Sequence, residues 1–196
     1  MPAEALTDDD AESMLEEGDG LTSVIRGHLR TDFLLNTAIE AALDDPDEAG
    51  LDGLPFPRKV DLAVAMGIIP KDVAATCKAL NRIRNRFAHD PDYQLDAAIA
   101  SQVRASFPEA LRGERYPWPT EDETPRLVAK RGFLTAFVTL QQAIEQVRDS
   151  KAADRAFREA IVAVADHTLP KGMTPSDFVR EAVEADRQRR ASEGRL

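Results

Sequence analysis

The sequence predicts an all-α protein, a helical bundle of about five core helices plus a C-terminal helical extension. Apolar residues recur at three- and four-residue spacing almost throughout the 196 residues, and no strand-like alternation runs over a useful length. Prolines punctuate the periodic segments, closing one after Asp44-Asp45 and opening others at Pro57, Pro70 and Pro175. A chain of this length suits one domain with appendages and can bury a real core.

The first helix is expected from about Thr22 to Leu43, with Leu21, Ile25, His28, Asp32, Leu35, Ile39 and Leu43 on one face. Asp45-Pro46 ends it, because the residue before a proline avoids the helical region. A Gly/Asp/Pro loop leads to a second helix that starts near Pro57 and stops at Gly67. A third opens at Pro70 and ends at Asp90-Pro91, and a fourth covers about Leu95 to Phe107. Residues 108–125 read as an irregular loop, whose Tyr116 and Trp118 could stack a base or pin the loop. The fifth helix, about Pro125 to Asp149, spaces Phe133, Phe137, Leu140, Ile144 and Val147 as a seam. A sixth is expected from Ala152 to His167 with Phe157, Ile161 and Val164 inward. The last starts at Thr174-Pro175-Ser176-Asp177, a capped beginning, and ends in Arg187-Gln188-Arg189-Arg190.

Composition divides the chain further. A hydrophobic content of 43% and a charged content of 31% describe a soluble globular protein. No apolar run approaches the roughly 20 residues of a membrane span. The first residues do not read as a signal peptide, and the single cysteine, Cys77, permits no intrachain disulfide, so a cytoplasmic location is expected. Residues 1–20 carry eight acids and no Lys or Arg; taking those eight from the net charge of −10 leaves −2. The reading is an acidic, flexible segment (1–20), a bundle (21–150), and C-terminal helices with a charged tail (151–196). The acidic segment is either a solvated tail or a phosphate mimic covering a basic surface. Overall acidity argues against duplex DNA binding as the main activity.

The run Leu80-Asn81-Arg82-Ile83-Arg84-Asn85-Arg86-Phe87-Ala88-His89-Asp90-Pro91 carries most of the functional signal. At about 100° per residue, Val73, Cys77, Leu80, Arg84 and Phe87 fall within about 40° of one line. Arg84 thus sits in an apolar stripe, where a charge is expensive unless paired. Lys78, Arg82, Asn85, Arg86 and His89 form the opposing polar stripe. His28 and Asp32 interrupt the apolar face of the first helix, one turn apart. The economical expectation is that Asp32 pairs with Arg84 beside His28, either as a buried register-fixing ion pair or as a polar cleft.

Arg84-Asn85-Arg86-Phe87-Ala88-His89 resembles the Arg-polar-x-x-x-His signature of HEPN-like helical proteins. Phe56-Pro57-Arg58-Lys59-Val60-Asp61-Leu62-Ala63 followed by Met66-Gly67-Ile68-Ile69 resembles the helix preceding that signature in a branch related to the mannitol-operon repressors. The resemblance covers roughly residues 21–150. It implies a HEPN-like bundle and an RNA-directed role, whose catalytic form would be metal-independent RNA cleavage of toxin or host-defence type. Arg84, Asn85 and His89 would then be catalytic, and Lys78, Arg82 and Arg86 the candidate phosphate contacts. The branch implies instead a non-catalytic regulatory or protein-interaction module. The partner is accordingly RNA or a protein, an antitoxin or a regulator.

The chemistry suits those residue types. A near-neutral imidazole can deprotonate a ribose 2′-hydroxyl, and a planar guanidinium can hold the charge growing on phosphate. Arg84 and His89 lie about 140° apart around an ideal helix. They converge only if the last turn distorts or a second copy supplies one of them, so a homodimer is expected; His89 could equally be a local helix cap. An Arg84 neutralised by Asp32 would leave little positive charge for phosphate. Three scattered histidines and one cysteine point to no metal, and no Gly-rich phosphate loop or cofactor motif is present.

Overall fold

The computed structural model describes residues 13, 15–16, 19–90, 92–107, 119–166 and 168–193, and among them every regular element is helical. Tyr116, Trp118, His167 and most of the acidic segment lie outside the described residues. The protein is all-α, and no described helix is long and apolar enough to cross a membrane. The chain divides into two compact units, one of Leu6–Ala143 and a smaller one containing Ile144–Leu196.

In the larger unit, α1 (Gly20–Ala42) begins where the Asp19 carboxylate accepts the Thr22 backbone N–H at 2.8 Å. Two short 3-10 turns, Asp47–Ala49 and Leu51–Gly53, follow, joined through a left-handed Gly50. Next come α2 (Phe56–Ala65), with Pro57 in its first turn, and α3 (Lys71–His89). The fourth helix, α4 (Ala97–Ala105), is capped by Asp96, and α5 (Pro125–Ala165) contributes its first part to this unit. α1 packs against α2 and α3, α2 against α3, and α3 against α4. Leu35, Ile39, Val60, Leu80, Ile83 and Phe133 are fully buried. Cys77 is also fully buried, and burial pushes its thiol up to about 12, so it is a packing residue.

The face of α1 differs from the expected one. Ser23, Val24, Gly27, Thr31, Leu34, Leu35, Ala38 and Ile39 are buried, whereas Ile25 is 41% exposed. Gly27 decides this rotation. A Cβ there would lie 2.7 Å from the Phe133 ring, so only glycine lets α1 approach α5 this closely. Packing around that contact moves His28 and Asp32 from the centre of the face to its edge.

Two helices were also expected where one continuous α5 is found. Ser150 and Lys151 were too few residues for a connection, and neither Pro nor Gly stands there to break the helix. Phe157, Ile161 and Val164, expected inward, are 56%, 54% and 48% exposed. In the smaller unit they belong to the later part of α5, and Ala152, Ala156 and Ala160 form its buried side.

The smaller unit joins this part of α5 to α6 (Pro175–Ser192), which starts with the expected Thr174/Asp177 capping box. Ion pairs link the two helices. The Arg190 guanidinium lies 2.8 Å from Glu145 and 2.6 Å from Asp149, and Arg187 also reaches Asp149 at 2.6 Å.

Candidate nucleic-acid interface

The end of α3 is regular to its last residue, the Asp90 N–H donating to the Arg86 carbonyl at 2.9 Å. A distorted last turn therefore does not bring His89 round to Arg84. Both side chains are exposed, on opposite flanks of one straight helix.

Arg84 departs from expectation most. Its stripe neighbours Leu80 and Phe87 are 1% and 7% exposed, yet Arg84 itself is exposed. The long aliphatic stem lets the guanidinium leave the apolar stripe and reach water. Its Nη1 donates to the neighbouring Asn85 Oδ1 at 3.2 Å. Among the described residues it takes part in no ion pair, so the expected Asp32–Arg84 pair is absent.

Asp32 is held instead by Lys59 of α2, whose Nζ lies 3.0 Å from Oδ1 and 3.3 Å from Oδ2. The Lys59 side chain is only 5% exposed. The sequence reading missed this residue, although a signal existed: Lys59 falls between Phe56 and Val60 and within about 40° of Ala63 on the apolar side of α2. A lysine there needs a carboxylate, and Asp32 on the facing helix edge supplies it.

His28 fills the space between these charges. Its Nε2 lies 3.0 Å from Asn81 Oδ1, an acceptor, so Nε2 carries the proton and donates. Its ring packs 4.6 Å from that of Phe56. Burial holds the imidazole below its ordinary value; the Asn81 bond opposes this and the Arg84 charge reinforces it. Asn81, also missed, sits one position to the side of the apolar stripe.

The polar stripe is divided. Lys78 pairs with Asp61, and Arg86 lies 3.7 Å from Asp96 and over the Tyr93 ring, with 5.6 Å to its centroid. Arg82 and His89 are exposed and share one flank with Asn85. Tyr93 packs edge-on against Phe87 beside a cleft of about 450 Å³ that Leu21, Gln94 and Arg126 help to line. Comparison with family models, with curated proteins and with solved structures matched nothing. The fold and site thus define an all-α helical protein that exposes Arg84 and His89 on opposite flanks of the end of α3, with Asn85 between them.

Proposed function

We propose that this protein is an RNA-directed HEPN-like protein, with Arg84 and Asn85 as its phosphate contact and His89 as the base for metal-independent cleavage. One observation carries the reading: Arg84 is exposed beside the Asn85 amide while Lys59 takes its expected carboxylate partner. The guanidinium therefore has no carboxylate partner among the described residues and keeps donors for phosphate beyond the Nη1 bond to Asn85. Arg82 on the adjoining flank and the half-buried Tyr93 ring supply a further cation and a face for a base. Because His89 points away from Arg84 within one helix, a productive site requires a second copy to contribute one of the two.

A different observation favours a second reading. Lys78 and Arg86 are engaged with Asp61 and Asp96, and Ile25, Leu29 and Phe33 expose an apolar line at i, i+4 and i+8 on α1. Fewer available cations and an exposed apolar face suit a regulatory or protein-interaction module. Fluorescence anisotropy with labelled single-stranded RNA separates the two. Arg84→Ala should weaken binding about tenfold, a loss of about 1.4 kcal/mol. A folded Arg84→Ala protein that binds like wild type, or a wild type that binds no RNA at low salt, favours the module.

A further inference from the structure

Within the larger unit, Leu15 and Glu16 pack against the start of α5 in a way that marks a second site. Leu15 is 2% exposed, and the next residue, Glu16, places its carboxylate 2.6 Å from Lys130 Nζ. The Glu16 backbone carbonyl accepts from Arg126 Nη2 at 3.3 Å. The Lys130 hydrogen bond holds the Glu16 carboxyl below the usual carboxylate range, because it favours the charged form. Behind it lies a cavity of about 230 Å³, between the start of α1, the start of α5 and Leu95. Among the described residues its walls are largely apolar, with Leu15, Val24, Leu95, Leu127 and Phe133, and Glu16, Lys130 and Arg126 are its charged members.

An apolar chamber with a few convergent polar groups is the usual form of a small-ligand site. Cavities of about 150 Å³ already accept a six-carbon ring. The chain's own residues display the matching chemistry, an apolar side chain immediately followed by a carboxylate. We propose that this cavity binds a small amphipathic carboxylate, a medium-length apolar chain with one anionic end. The carboxylate takes the place of Glu16 on Lys130 and Arg126, and the chain lies against Val24, Leu127 and Phe133. Leu15-Glu16 is then a built-in competitor, and ligand entry releases the end of the acidic segment. The inference does not rest on an RNA-directed role: no residue of the cavity lies on α3, and of those named only Leu95 and Arg126 also line the cleft beside Tyr93.

Thermal shift and calorimetry on the full chain test it, with octanoate as the probe and octanol and acetate as controls. Octanoate should raise the melting temperature in a concentration-dependent way, while octanol, lacking the anion, and acetate, lacking the chain, should not. Lys130→Met should abolish the octanoate shift. Glu16→Gln, which removes the competing charge from an exposed pair, should tighten octanoate binding about two- to fivefold. Equal shifts from octanoate and octanol, no octanoate shift at all, or unchanged binding by Glu16→Gln would overturn the site. The Glu16 variant keeps the test open should Lys130→Met fail to fold.

Discussion

Lys59 and Asp32 form the ion pair that joins α2 to α1, Nζ to Oδ1 at 3.0 Å, with the lysine side chain 5% exposed and the aspartate 31%. This pair frees Arg84 from a structural role. Removing one partner leaves the other charge in a poor environment, whereas removing both need not.

The stability of the pair should follow that asymmetry. Asp32→Ala strands the buried Lys59 ammonium and should cost about 3 kcal/mol. Lys59→Met combined with Asp32→Leu should recover much of that. Arg84→Ala, at an exposed position, should change stability by less than about 0.5 kcal/mol. Chemical denaturation of the four proteins measures all three effects, and a large loss in Arg84→Ala would contradict the assignment.

Gly27 sets the approach of α1 to α5. Gly27→Ala drives a methyl to within 2.7 Å of the Phe133 ring and should cost about 1–3 kcal/mol. Phe133→Leu in the Gly27→Ala background should give a smaller loss than the sum of the two single changes. Strict additivity in a double-mutant cycle would show that the two residues do not meet.

His28 makes stability depend on pH. Its folded value lies below the unfolded one of about 6.5 because burial disfavours the imidazolium. More than about one unit above pH 6.5 both states are neutral and His28 adds no slope. As pH falls below that, the unfolded chain takes up the proton first, so stability declines until the pH passes the folded value. Urea midpoints should therefore drop between about pH 7.5 and 5.5 more in wild type than in His28→Gln. Equal drops would remove His28 as the cause.

Much of the fold was legible in the sequence, and the exceptions have physical causes. Asp-Pro and Pro-led boundaries located the helices from α1 to α3 and the Thr174 cap of α6, because those residues act locally. The face of α1 was misread because its orientation is set by one missing Cβ at Gly27, which a hydrophobic wheel weights as nothing. Arg84 was placed in the core because a wheel records the Cα direction and not where a long side chain ends. Asp32 was recognised as needing a cation, but the choice between Arg84 and Lys59 depends on how α1 meets α2, which no single-helix pattern contains.

The proposed Arg84–His89 site needs two copies of α3. With Arg84 and His89 on opposite flanks of one straight helix, each site should draw one residue from each of two copies. Arg84→Ala and His89→Ala should each be inactive alone. Mixed in equal amounts and allowed to exchange, they should recover about one quarter of wild-type activity, since half the dimers are mixed and each holds one intact site. No recovery despite confirmed exchange would place both residues in one copy's site or in none.

The most direct test of the account is cleavage itself. Purified protein incubated with single-stranded RNA in EDTA should cut it and leave 2′,3′-cyclic phosphate ends, because the attacking group is the substrate's own hydroxyl. His89→Ala should lose about 10²–10⁴-fold in rate, the usual contribution of a general acid or base, with its melting temperature unchanged at that exposed position. Wild type and His89→Ala equally inert on several RNAs, or cutting that His89→Ala leaves intact, would contradict it.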